Sequence, residues 1–226
     1  MFSLTTGINI HILKDMDVAF FQEPVLQRKG DKTRQFIISS SKVLFTQKGY
    51  SGVTMQDICE KCRLSRGGLY RHFGSAKEIM IEILRQEIRE EEQNLNRIIA
   101  WELAPDTYLN DMFRRQKKVI MNGGARLNSA FYEFSVLEPD QYPLLKRRYD
   151  AAEKNLSVLI EYGKRTGVFR PCDADAAARH IIFCLEGLLL SSIAVPIAGR
   201  IIDEQIRIMT GLVLKEGRSK KANRKP

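Results

Sequence analysis

The chain has 226 residues, 44% hydrophobic and 28% charged, an ordinary composition for a soluble globular protein of one large or two modest domains. Four cysteines in this length exclude a disulfide-stapled secreted scaffold, and the net charge of +9 points to an acidic partner. That charge is uneven: residues 28–78 carry eleven Lys/Arg against four Asp/Glu, residues 218–226 carry five Lys/Arg and no acid, and the rest is close to neutral.

Residues 1–30 show no sustained hydrophobic period and read as an N-terminal arm, without the basic start of a secretory signal. From Asp31, the positions Phe36, Ile37, Ser40, Val43 and Leu44 follow a helical repeat that stops at Gly49. Thr54 with Asp57 three residues later predicts the start of a second helix, ending near Lys61. Ser65 is placed to cap a third, in which Leu69 and Phe73 face the core while Arg66 and Tyr70 lie on another face. Arginine at the start of such a helix suits bidentate donation to guanine O6 and N7. Gly67 and Gly68 would each weaken a helix interior by roughly 1 kcal/mol, so their presence suggests a backbone that must approach a phosphate or base edge closely. The plainer alternative is a packed helix pair with a glycine-weakened start.

Ser75 and Glu78 predict the opening of a long helix that carries Met80, Leu84, Ile88, Leu95, Ile98 and Ile99 and stops at Pro105. At 1.5 Å per residue its roughly 25 residues span about 37 Å. Helical patterns follow over 106–121, 125–137 and 144–166, then from an Asp173 cap to about 195, and finally over 201–215. The run 181–199 is apolar enough to suggest a membrane span, but Glu186, Ser191, Ser192 and Pro196 fall within barely the minimum length. It reads instead as a buried helix that pairs with the last one against their copies in a second subunit. The helical patterns make the fold class all-α, an N-terminal three-helix domain with a helix-turn-helix followed by a C-terminal helical body. The expected divisions are an arm (1–30), a DNA-binding domain (31–78), a regulatory domain (79–216) and a basic disordered tail (217–226).

The residues Gly49, Thr54, Ile58, the run Leu64-Ser65-Arg66-Gly67-Gly68-Leu69-Tyr70-Arg71-His72-Phe73, and Lys77-Glu78 resemble the N-terminal DNA-binding domain of the TetR family of bacterial transcriptional regulators. The resemblance implies phosphate contacts from Thr54, Ser65, Tyr70 and Lys77. It further implies that Arg66, Gly67, Gly68 and Arg71 face the groove, that His72 meets backbone or base, and that Ile58, Leu69 and Phe73 are core. Two positions depart from the family's pattern: Arg63 stands where the turn usually has glycine, and Gly68 where a hydroxyl residue is frequent. The same resemblance implies a cytoplasmic homodimer joined through its last two helices, a repressor released from palindromic double-stranded operator DNA by a small-molecule effector.

Candidates for an effector site are Phe113, Gln116, Phe131, Phe134, Phe183 and Glu186, the aromatics reading equally as core. Glu186, flanked by apolar residues, needs a partner, for which Arg179 or a residue across the dimer is expected. Catalysis is not expected: His11, His72 and His180 form no metal pair, and no G-x-S-x-G, H-E-x-x-H or phosphate loop occurs. No cofactor or metal is expected either. Cys59 and Cys62 read as structural thiols, with a redox switch or zinc as the alternatives. A further class, an architectural protein for which DNA sequence is secondary, would bind DNA with a steep salt dependence and no sequence preference.

Overall fold

The structure, a computed structural model, describes residues 29–100, 104–122 and 126–215. The basic tail and the expected arm through residue 28 lie outside the described residues. Among the described residues there are nine α-helices: α1 (Lys29–Lys48), α2 (Met55–Cys62), α3 (Arg66–Tyr70), α4 (Ala76–Ala100), α5 (Pro105–Met121), α6 (Arg126–Leu137), α7 (Tyr142–Arg165), α8 (Ala174–Ala194) and α9 (Gly199–Val213). A single 3-10 turn, Pro139–Gln141, joins α6 to α7, and one isolated bridge pairs Phe169 with Leu214. Contacts divide the chain inside α1, after Phe36. Of the described residues the first unit holds the opening turns of α1, and all packing described below lies in the second.

Local chemistry sets most helix ends. At the start of α2, Thr54 Oγ1 accepts from the Asp57 amide at 3.1 Å and the Asp57 carboxylate accepts from the Thr54 amide at 2.8 Å, a closed capping box. Hydrogen bonds from Lys48 and then Thr54 hold the Asp57 carboxyl well below the usual carboxylate range. Ser65 caps α3 by accepting from the Gly68 amide at 3.1 Å, and Asp173 caps α8 by accepting from the Ala176 amide at 3.0 Å. At α4 the Ser75 hydroxyl accepts from the Glu78 amide, while the Glu78 carboxylate takes the amide of Gly74 rather than that of Ser75. Pro105, read as a stop, and Pro143 lie inside the first turns of α5 and α7, where a missing N–H costs no helical bond. Phe73 lies beyond the end of α3, not within it; its amide still donates to Leu69 O at 3.1 Å, and its side chain is buried.

The turn between α2 and α3 does require a left-handed residue. Arg63 occupies it at φ 53°, ψ 41°, with its amide bonded to the carbonyls of Cys59 and Glu60. A side chain in this region costs roughly 1–2 kcal/mol, partly offset by the greater freedom glycine has when unfolded. Arg63→Gly is therefore expected to stabilise the protein by about 1 kcal/mol, raising the melting temperature by about 2–4 °C. A lower melting temperature would mean that the arginine side chain stabilises the turn by contacts.

Two large buried clusters and a small one, Ile120 with Leu189 and Ile202, are found among the described residues of the second unit. The first runs from Ile37, Phe45, Ile58, Leu69 and Phe73 through Ile79, Met80, Ile83 and Leu84 of α4 to Ala130, Phe131 and Phe134 of α6 and Leu145 of α7. The second joins Leu109 and Phe113 of α5, Leu156, Leu159 and Ile160 of α7, Ile181 and Leu185 of α8, and Met209 and Val213 of α9. Cys59 and Cys62 both belong to the first cluster, and burial pushes the Cys62 thiol up, which disfavours the reactive thiolate.

Candidate nucleic-acid interface

Core packing of Ile58, Cys59, Cys62 and Leu69 fixes α2 and α3 against α1 and α4, so the residues between them are turned outward. Arg66, Gly67, Tyr70 and Arg71 are exposed, as are Lys61 and Arg63 beside them; Tyr70 shows 52% of its surface. Arg66 reaches only Gln56 Oε1, at 3.3–3.4 Å, a long and weak contact. A Cβ placed on Gly67 would meet nothing within 4 Å, so the folded chain itself does not need glycine there. A Cβ on Gly68 would lie 3.2 Å from the capping oxygen of Ser65. The Thr54 hydroxyl donates to Asp57 at 2.6 Å as part of the capping box, whereas the Ser65 hydroxyl accepts from the Gly68 amide at 3.1 Å.

The base of this head is fastened to the α6–α7 corner. Tyr50 packs edge-on against Phe134 with ring centroids 4.8 Å apart, its amide donates to Glu133 Oε2 at 2.6 Å, and its hydroxyl donates to Glu138 Oε1 at 2.8 Å. Ser51 also bonds to Glu133. Lys77 is held by both acids of the same corner, Asp140 and Glu138. Hydrogen bonding to Lys77 lowers the carboxyls of Glu138 and Asp140, and theirs, Asp140 first, raise the Lys77 ammonium. The sequence reading did not single out Tyr50, Glu133, Glu138 or Asp140; the only local cue was the pair of acids flanking Pro139.

The sequence profile described as bacterial regulatory proteins, tetR family, matches residues 37–83, the stretch that builds this head. Residues 37–83 thus form a DNA-binding domain of the TetR family. An uncharacterised HTH-type transcriptional regulator, YfiR of Bacillus subtilis, is 27% identical over 179 residues, covering 75% of this chain and 84% of the relative. Among solved structures, a TetR-family regulator from Agrobacterium tumefaciens superposes with a TM-score of 0.67 at 17% identity, over 83% of this chain and all of that one. A transcriptional regulator from Saccharomonospora viridis, solved in complex with choline, gives a TM-score of 0.63 at 19% identity, over 82% of this chain and 99% of that one. These likenesses extend the TetR fold beyond the head into the helical body.

In the helical body a cavity of about 670 Å³ opens between α4, α5, α6, α7 and α8. Its wall is mixed: Ile88, Met112, Leu156, Leu159, Ile182 and Leu185 are apolar, and Glu87, Glu91, Arg115, Arg148 and Tyr149 are among its polar groups. Of the sequence candidates, Gln116 and Glu186 line it. Phe113, Phe131, Phe134 and Phe183 do not line it: the first three are closed inside the two cores, and Phe183 points outward with 62% of its surface exposed. Glu186 is partnered by Arg148 Nη1 at 3.4 Å and by the Tyr132 hydroxyl at 2.9 Å. Arg179, the expected partner, is instead 2.7 Å from Glu153. Burial first, then Tyr149 and Glu186, push the Tyr132 hydroxyl well above the ordinary tyrosine range and keep it a donor. Asn155, also in the wall, has a buried amide nitrogen with no partner among the described residues.

Helix α8 is the one described helix long and apolar enough to cross a membrane by length and composition. Its outward residues Phe183, Leu190 and Ile193 share their exposure with Ile201 and Ile208 of α9.

Proposed function

We propose that the protein is a cytoplasmic, dimeric repressor that binds a near-palindromic operator and is released from it by a small molecule. The observation that carries the DNA half of this reading is the α3 surface. Arg66 and Arg71 stand exposed beside a glycine whose missing side chain leaves open space, which a close-fitting external backbone or base edge explains better than anything in the fold. The roles are those expected above: Arg66, Gly67, Gly68 and Arg71 at the groove, Thr54, Ser65, Tyr70 and Lys77 at phosphates, and His72 at backbone or base. Residues 31–78 read, and residues 79–216 regulate and dimerise.

The exposed apolar residues of α8 and α9 favour a second copy of the chain as their cover, because five such side chains on two neighbouring helices are costly to leave in water. A two-fold dimer would set two α3 helices about one DNA turn apart, roughly 34–36 Å. The cavity supports the effector half: its volume suits a small ligand, and Arg148, Glu186 and the unmatched Asn155 amide offer orienting polar contacts beside its apolar side chains. A structural neighbour solved in complex with choline supports a small-molecule ligand for a protein of this fold.

Selection of bound duplexes from a random library at a stated salt concentration tests the reading. The expected result is an enriched palindrome with half-sites about ten base pairs apart. Tight but sequence-indifferent binding would overturn it in favour of the architectural class.

A further inference from the structure

Among the cationic side chains assigned to DNA, Arg66 and Arg71 form no ion pair with the described residues, whereas Lys77 is fully occupied. Its ammonium donates to Asp140 Oδ1 at 3.0 Å and Oδ2 at 2.8 Å and lies 2.8 Å from Glu138 Oε2. An ammonium has three protons to donate, so these three oxygens exhaust it. The second Glu138 oxygen is held by the Tyr50 hydroxyl at 2.8 Å, which fixes the carboxylate beneath Lys77. Two acids from one turn thus present to Lys77 the oxygen cluster that a DNA phosphate would present.

We propose that the Glu138-Pro139-Asp140 turn is an intramolecular phosphate mimic that occupies Lys77 in the free protein and must be displaced from it before DNA is gripped. This rests on the DNA-binding reading above. Lys77 and Asp140 are 32% and 59% exposed at their side chains, so the exchange needs no unfolding. Exposed ion pairs are weak and comparable with one another, so the turn weakens the DNA grip without blocking it. Placement gives the turn a second role. It joins α6 to α7, and both helices line the cavity, through Leu127 and Asn128 on one and Arg148 and Tyr149 on the other. A ligand that shifts this corner changes how tightly Lys77 is held, and by linkage DNA that releases Lys77 changes ligand affinity by the same factor.

The test uses the full-length protein and a mixed-sequence duplex long enough for two half-sites, with anisotropy titrations over a salt series. Glu138→Gln with Asp140→Asn is expected to bind on the order of two- to fivefold more tightly. The slope of log affinity against log salt should steepen by about 0.9 for each freed lysine. Both gains must vanish in the Lys77→Ala background. Asp140→Asn alone, which keeps the Tyr50 bond to Glu138, should shift affinity in the same direction, so a folding defect in the double variant does not hide the effect. Unchanged affinity, or a gain that persists without Lys77, overturns the mimic. If Lys77→Ala alone weakens binding while the acid variants do nothing, the mimic fails and the DNA reading stands. If Lys77→Ala changes binding to no duplex, the phosphate role of Lys77 fails and takes the mimic with it.

Discussion

Arg66→Ala is expected to lower affinity for the selected operator by about 1–3 kcal/mol per half-site, the usual worth of a bidentate arginine on guanine. A dimer meets two half-sites, so the loss doubles on the whole operator. Stability should stay within about 0.5 kcal/mol, because the side chain is exposed and makes only the long contact to Gln56. The salt slope separates this role from a phosphate contact: losing a base contact leaves it nearly unchanged, whereas losing a phosphate contact reduces it by about one. Repeating the random-library selection with the variant should show one position in each half-site relaxed. Equal losses on operator and unrelated duplex would mean that Arg66 only touches the DNA backbone.

The second large effect concerns the body. Gly163→Ala is expected to destabilise the protein by about 3 kcal/mol, the upper end for overpacking a close-packed core. Phe169 turns back on α7 and lays its ring on the Gly163 backbone; an added Cβ would fall 2.2–2.6 Å from three ring atoms. The ring has little room to yield, since Phe169 is buried, its amide donates to Gly163 O at 2.9 Å, and it forms the bridge to Leu214. The next residue continues the seam, with the Arg170 amide bonded to Val213 O at 2.9 Å. For a chain of this size the melting temperature should fall by roughly 6–12 °C. Phe169→Leu in the same chain should recover part of the loss, a coupling that thermal or denaturant unfolding measures directly. An unchanged melting temperature for Gly163→Ala would show that the ring is free to move.

Both variants rest on contacts of different legibility. The reading head was largely visible in the chain order: Thr54 with Asp57, Ser65 before Arg66-Gly67-Gly68, and Gly49 closing α1 all act within four residues, and the structure finds Gly49 at φ 76°. The cavity was visible only in part. Gln116 and Glu186, both candidates in the sequence, border it, but helical spacing could not tell Phe113, Phe131 and Phe134, which fill cores, from residues that border empty space. Nor could it tell that the face bearing Phe183 would be left open.

What the sequence by itself determined, then, was the all-α class, the caps and stops of the helices, and the chemistry displayed on α3. Caps, helical periods and left-handed turns depend on bonds between near neighbours, as the Arg63 turn illustrates. What only the tertiary structure decided were the pairings between distant helices: Glu186 with Arg148, Tyr50 with Glu133 and Glu138, Lys77 with Asp140, and Phe169 on Gly163. Every acid on these helices has several possible cationic or hydroxyl partners in the chain. Which one it meets depends on how the helices pack and rotate against each other, and the buried apolar clusters fix that rotation, not the charges.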